Sequence, residues 1–587
     1  MFEQEIDKIA TAIRAHANQQ SWPLTDLKWS SIPFAGEWGI STSFFQTAAN
    51  EAKAGAKVVV AQRAQELAES AKAALGQPAG ISRIEAVNGY LNLYFESAGY
   101  SQRVIETALQ QGADFGRGAS TGQRIMVEYS QPNTHKAMHV GHLRNMLLGD
   151  AVANILEFAG HEIVRANYIG DFGRDVMKWM WNYRERHMGK EPPDEDKTRW
   201  MGDLYAEATR ELEARDDQDA IITEMFERWE AGDKDLHDLY FLTRGWSLDG
   251  FNEVYERMGI AFDKFYFEHE MEAAGKAYVN TLIEKGIAID ERPAGAVIVK
   301  IDELLGFDKE TYRVCVVLRS DGTALYATWD LALTQQKFAD YDLDRSIYVV
   351  DVRQSDHFRQ VWKILEIAGY EDIHKAEHLP YEIVNLPGNI TMKSREGTVV
   401  LLEDFIREAV RRAYEVSLKS NPDLDEATRK NVADAVALGA IKYPMIARDN
   451  TKVATFDWET ALDFNGHSAP YIQYAHVRCN SLLRKAGAQL PASTPVTHEL
   501  HEKEIALIET LAQFPASVQR AADGCRTLEI TNAAYTLAKA FNEFYNACPV
   551  IKAEDDVRDF RLRLTAAARV ALANSLKLLG IQAPDVM

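Results

Sequence analysis

Two histidines that flank a small residue and a glycine, His139-Val140-Gly141-His142, have types and spacing suited to chemistry. They sit between a short apolar run and a helix-patterned segment. Glycine in such a turn lets a nucleotide base approach bare backbone, and the amide end of a following helix favours anionic phosphate. Imidazoles can hydrogen-bond phosphate oxygens as charge builds in a transition state. Lys136, three residues before the first histidine, adds a fixed positive charge beside them. The chemistry would be nucleotide handling, with ATP as the nucleotide. The plainer alternative is a pair of turn or core histidines. A lone His-x-Gly-His match leaves the two even, and its place between strand and helix shifts the balance toward nucleotide. A zinc pair lacks a third nearby ligand, so no metal site is expected.

A second candidate lies far downstream, at Asn389 to Thr398, and contains Met392, Lys393, Ser394 and Arg395. Alone it reads as an exposed polar loop. Paired with the histidine turn it reads as a phosphate-gripping loop whose cations are Lys393 and Arg395.

These residues need elements to position them. Ile125-Met126-Val127 predicts a buried strand, and Leu143, Met146, Leu147, Val152, Ile155 and Leu156 recur at helical spacing up to Gly160. Ile163 to Ile169 reads as the next strand, so a βαβ unit and a parallel nucleotide-binding sheet are expected. Strand-like runs at Ala296–Val299, Val314–Leu318 and Ile347–Val350 are expected to continue that sheet. Residues 1–110 look like a small α+β module, with the Gly- and Ser-rich Gly112 to Gln123 as linker. A charged stretch at about 185–245 predicts a helical insertion, and the chain is helix-patterned almost throughout from Leu401.

At 66.0 kDa the chain should hold several domains. Its four cysteines are far apart and form no Cys-x-x-Cys pair, which disfavours a disulfide framework and suits a reducing cytoplasm. No apolar stretch reaches the ~18–20 residues of a membrane span, and the acidic start is unlike a secretory signal. A formal net charge of −22 argues against indiscriminate nucleic-acid binding, while a local basic groove can still hold a specific RNA.

The two motifs, in this order, resemble the HIGH and KMSKS signatures of class I aminoacyl-tRNA synthetases. Over essentially its full length the chain resembles the arginyl-tRNA synthetase family. The resemblance is carried by Ser130–His142, Asn167–Gly173, Arg319–Asp330, Gln354–Phe358, Pro470–Arg478 and the ending Leu578–Met587. It implies a Rossmann-like α/β catalytic domain (120–400), an N-terminal α+β tRNA-binding module (1–110), a helical connector (401–455) and an all-α anticodon-binding bundle (456–587). The implied activity is ATP-dependent activation of L-arginine and transfer to the terminal adenosine of tRNA(Arg). Magnesium accompanies ATP, activation requires bound tRNA, and the expected protein is a cytoplasmic monomer.

Aligned by Met392 and Gly397, the two signature lysines fall on Thr391 and Ser394, with Lys393 displaced by one residue. Within the family, chains that lack the second lysine often carry one just before the HIGH motif, where Lys136 stands. Catalysis would involve Lys136, His139, Gly141 and His142, with ATP held by the two histidines, Gly141 and the Met392–Arg395 loop. For arginine, the resemblance points to Asn133, Tyr326, Asp330 and Gln354, and more weakly to Glu268, for which Glu270 competes. The i, i+4 spacing of Tyr326 and Asp330 puts both on one wall. For tRNA, Tyr471, Gln473, Tyr474, His476, Arg478, Arg484 and Lys485 combine aromatic and basic groups on one expected helix. Its plainer reading is an amphipathic helix packing its tyrosines into a bundle.

Rival readings are a class I synthetase for glutamine, glutamate or cysteine, a catalytically silent tRNA-binding paralogue, and a small His-x-Gly-His nucleotidyltransferase. The missing cysteine cluster, the acidic wall, the intact histidine motif and the long helical C-terminal region weigh against them in turn.

Overall fold

Five parallel strands form the centre of the computed structural model, which describes residues 3–32, 37–386, 390–391, 400–487, 489–493 and 495–587. They are β1 (Arg124–Glu128), β2 (Glu162–Ile169), β3 (Lys264–Phe267), β4 (Arg345–Asp351) and β5 (Ala376–Tyr381), in spatial order β5-β4-β1-β2-β3. The chain runs outward from β1 in both directions, so the sheet has a switch point between β1 and β4. Ligands of open α/β sheets bind in the crevice outside the carboxyl ends of the strands at such a point.

The helix α1 (Val140–Phe158) crosses from β1 to β2 and is buried on almost every face, which is why its hydrophobic residues extend beyond a single stripe. It packs so closely on the end of β1 that a Cβ at Gly149 would fall 2.2 Å from the Tyr129 side chain. Ala159 caps it, and Gly160 follows at φ +104°. Between β2 and β3 lie the helices Arg174–Asn182, Lys197–Glu213, Gln218–Glu230 and Lys234–Met258, which share a core around Trp179 and Tyr240. The charged stretch is therefore helical, and its helices begin before and end after the expected 185–245.

One expectation is overturned. Val297–Val299 and Cys315–Leu318 do not continue the parallel sheet; with Ile289–Asp290 they form a separate antiparallel sheet. The reason lies in burial: Val314 and Val316 are exposed while Cys315 and Val317 are buried. One wet face is usual for an antiparallel sheet and not for a parallel one. Around it, α2 (Glu268–Glu284), α3 (Tyr326–Tyr341) and α4 (Ser355–Ile367) complete the catalytic half.

The C-terminal half is a bundle that includes Glu426–Ile446, Ala469–Ala486, Glu502–Gly524, Thr527–Ala547 and Asp555–Leu578. The N-terminal module has the four-stranded antiparallel sheet expected of an α+β unit and docks on that bundle. Arg563 bonds Glu106 at 2.5 Å, and Phe115 stacks on Phe514 with centroids 5.9 Å apart. All four cysteines are buried and free. Among the described residues no helix is long and apolar enough to cross a membrane.

Gly149→Ala tests the β1–α1 contact. The added methyl must displace Tyr129, with an expected cost of about 1–3 kcal/mol, visible as a lowered midpoint in urea titration.

Candidate active site

The segment between β1 and α1 is built under strain. Ser130 (φ +78°), Gln131 (φ +49°) and His135 (φ +61°) all lie in the left-handed region, which non-glycine residues seldom enter. Side chains from several elements hold it there. Asn145 of α1 accepts from the Ser130 amide at 2.5 Å, Asn167 of β2 accepts from the Gln131 amide at 3.0 Å, and Ser247 of the insertion accepts from the His135 amide at 2.9 Å. Asn133 meets Gly170, where a Cβ would fall 2.3 Å from its Oδ1, so the approach depends on glycine.

That segment ends in a cap made of the two motif histidines. The Gly141 amide donates to His139 Nδ1 at 3.0 Å, and the His139 amide donates to His142 Nδ1 at 3.2 Å. The rings stack with centroids 4.0 Å apart. Because both Nδ1 atoms accept, the proton of each neutral ring sits on Nε2, which is thereby a donor. A helix amino end with two added N–H donors suits an anion.

Beside this cap, at the switch point, lies a cavity of about 660 Å³. Of the residues singled out by sequence, Asn133, Gly141, His142, Glu268, Tyr326, Asp330 and Gln354 line it. Tyr326 forms the rim at 65% exposure, and Asp330 sits deeper on the same helix face. Burial first, then the carboxylates Asp171 and Asp330, push the Glu268 pKa well above the usual carboxylate range. Glu270 is not among the lining residues, which favours Glu268 in that pair.

Lys136 and His139 stand outside the lining. The Lys136 ammonium bonds Asp175 at 2.5 Å and lies 4.9 Å from the Tyr205 ring centroid. Burial opposes its charge, but the Asp175 bond outweighs burial and raises its pKa. Met392, Lys393, Ser394 and Arg395 lie outside the described residues.

Several lining residues had not been assigned a role from sequence. Glu128 closes β1, and Lys337, fully buried on α3, pairs with it while standing 3.8 Å from the Tyr348 ring centroid. Burial works against the Lys337 charge, yet Glu128 raises its pKa. Asp351 pairs with Arg353 at 2.6 Å, and His357 Nε2 meets Asp330 Oδ2 at 2.5 Å. A charged residue ending an apolar strand was the available signal for Glu128. For Lys337 it was the seven-residue step from Asp330 along one helix face.

Behind Glu268, the buried Asp171 accepts from the Tyr240 hydroxyl at 2.8 Å and from the His269 amide at 3.1 Å, and meets Arg244 at 3.3 Å. Tyr240 and Arg244 belong to the insertion, so this network ties it to the start of α2.

The helix Ala469–Ala486 corrects two residues offered as nucleic-acid contacts. Gln473 is fully buried and donates to the carbonyls of Ala435 and Gln582, at 3.0 and 2.9 Å. His476 is also buried, with Nδ1 3.0 Å from the Pro584 carbonyl. Both bind the C-terminal tail and cannot reach an external partner. Tyr471 packs on Tyr535, and Arg478 bonds Asn542 at 2.7 Å between Tyr474 and Tyr545, leaving all three of Tyr471, Tyr474 and Arg478 half-buried. Arg484 and Lys485 are exposed.

Lys337→Met should lower stability by about 3–5 kcal/mol, because it leaves Glu128 buried without its cation. Adding Glu128→Gln should recover part of that loss in urea titration.

Comparison with known proteins gives consistent matches. Residues 104–458 match the family described as tRNA synthetases class I (R), catalytic domain, and residues 472–587 match the DALR anticodon binding domain. An arginine–tRNA ligase of Bdellovibrio bacteriovorus is 36% identical over 514 residues, 86% of each chain. One of Bacteroides thetaiotaomicron is 34% identical over 553 residues, 90% of each. The solved Thermus thermophilus arginyl-tRNA synthetase superposes with a TM-score of 0.77 at 27% identity, covering 99% of this chain and 100% of that one.

Proposed function

The chain belongs to the arginyl branch of the class I tRNA synthetases, and on that premise we propose how its cavity joins arginine to tRNA. The activity is arginine–tRNA ligation with ATP as substrate. The arginine carboxylate attacks the α-phosphorus of ATP, pyrophosphate leaves, and the arginyl group passes from the adenylate to the terminal adenosine of tRNA(Arg), first at the 2′-hydroxyl. Little acid–base chemistry is needed, so the protein contributes position and charge.

The observation that carries this reading is convergence. Asn133, Glu268, the Tyr326–Asp330 pair and Gln354 come from four separate stretches of chain and meet in one cavity at the sheet's switch point, beside the histidine cap. Asp330 and Glu268 receive the guanidinium, which is planar, permanently charged and matched by carboxylates. Asn133 and Gln354 orient the amino-acid end. The Nε2 donors of His139 and His142 and the backbone at Gly141 meet the phosphates, and the family's second signature assigns Met392, Lys393, Ser394 and Arg395 to ATP as well. Lys136 supplies the cation missing at Ser394. Its flexible four-carbon stem lets it leave Asp175 for the phosphates.

Magnesium travels on the ATP phosphates. Glu128 and Asp351, the other lining carboxylates, are already paired with Lys337 and Arg353. Residues 1–110 act as the tRNA-binding module, 120–400 as the catalytic domain, 401–455 as connector and 456–587 as the anticodon-binding bundle, where Tyr471, Tyr474, Arg478, Arg484 and Lys485 remain the candidate contacts. The protein works as a monomer in the cytoplasm, a compartment that suits four unpaired thiols.

Amino-acid-dependent ATP–pyrophosphate exchange, run across amino acids with and without total tRNA, tests this reading. Arginine alone should support exchange, and only with tRNA present. No exchange with arginine under any condition refutes the assignment. Asp330→Asn should raise the arginine KM by about 2–5 kcal/mol in binding terms, the cost of removing one partner of a buried charge pair. Lys136→Ala should slow exchange by about 2–4 kcal/mol, far more than Lys393→Ala. Equal, small effects from the two would remove Lys136 from the phosphate site.

A further inference from the structure

His357 is committed to no element of the mechanism above, yet its Nε2 stands 2.5 Å from Asp330 Oδ2 inside the arginine cavity. It rises from the first turn of α4, whereas Asp330 rises from the first turns of α3, so the contact joins two helices across the pocket wall. We propose that His357 is a positioning residue whose charge is linked to arginine binding: arginine and the protonated imidazole compete for Asp330, so binding expels a proton from His357. This rests on Asp330 being the guanidinium receptor.

The competition is electrostatic. In the empty cavity an imidazolium beside Asp330 is stabilised by the carboxylate. Burial disfavours the charged ring, but the Asp330 bond prevails and raises the His357 pKa. Once a guanidinium sits on the same carboxylate, a second cation there is repelled at short range in a partly desolvated site. The neutral ring, with its proton on Nε2, still donates to Oδ2 and leaves Oδ1 to the substrate.

The surrounding charges leave this role to the pair. Asp351 at the end of β4 is paired with Arg353, and Glu128 at the end of β1 is paired with Lys337. On α4 itself Asp356 and Arg359 bond each other at 3.1 Å. Tyr326 of α3 and Tyr348 of β4 also line the cavity. Glu268 at the start of α2 titrates toward the same substrate and releases its own proton, so the informative quantity is the difference between wild type and a His357 variant.

The sign follows from linkage. Affinity for arginine is highest above the free-enzyme pKa of His357 and falls as pH drops through it, by up to about tenfold per pH unit from this one group. The test is the arginine KM in pyrophosphate exchange at saturating ATP and tRNA across about pH 6–8.5. It is paired with calorimetric titration of L-arginine into the full chain in buffers of different ionisation enthalpy. His357→Gln keeps an amide donor but cannot titrate. It should show a KM that is less pH-dependent, with up to about one fewer proton released per arginine and little change in kcat at neutral pH. A wild-type KM independent of pH, or an equal slope and proton count in His357→Gln, overturns the linkage. Asp330→Asn separates the two ideas. An unchanged arginine KM in that variant overturns the arginine pocket and the linkage together, whereas a large loss beside an unaltered slope in His357→Gln overturns the linkage alone.

Discussion

The handover from β1 to α1 is the constraint on which the site depends. Three non-glycine residues there, Ser130, Gln131 and His135, occupy left-handed backbone, a conformation that costs about 1–3 kcal/mol each when nothing compensates. Compensation comes from hydrogen bonds to Asn145, Asn167 and Ser247, which belong to α1, β2 and the insertion. The turn is thus held by elements that only the folded domain brings together. Its product is a helix amino end delivered to the mouth of the sheet, with two imidazoles that each accept a backbone amide through Nδ1.

The same constraint explains which features were legible. Ile125–Val127 and the apolar spacing of α1 announced a buried strand and a buried helix, and a His-x-Gly-His turn between them had few structural alternatives. The Val314–Leu318 run misled because its composition is apolar throughout, while the fold leaves Val314 and Val316 in solvent. Gln473 and His476 misled for a different reason. Their partners are the carbonyls of Gln582 and Pro584, more than a hundred residues away in a tail with no periodic pattern. Spacing along one helix carries no information about such partners. Glu128 and His357 were visible as residues but had no role until β1, α3 and α4 were placed around one cavity.

The helical insertion belongs to the site more closely than its charged composition suggests. Gly202 lies so near the motif loop that a Cβ would fall 2.5 Å from the Ala137 side chain. From the same helix Tyr205 covers the Lys136 ammonium. From its last helix, Tyr240 and Arg244 reach Asp171, whose negative charge acts on Glu268. Any displacement of the insertion therefore alters the setting both of the Lys136 ammonium and of a carboxylate that lines the cavity.

The cavity's carboxylates are distinguished by their partners. Glu128 has a permanent cation buried beside it, and Asp351 has another at 2.6 Å, so neither offers much uncompensated charge to a ligand. Glu268 has no cation partner among the described residues and resists ionisation, because burial and two neighbouring carboxylates oppose it. Asp330 is bonded to a titratable ring. The two carboxylates without a permanent counterion are therefore the two that a guanidinium can complete. A ligand with a permanent, planar positive charge gains there what a neutral side chain such as glutamine's cannot. An acidic one is repelled. Specificity for arginine then follows less from the number of acidic residues than from which of them the protein has left without a permanent cation.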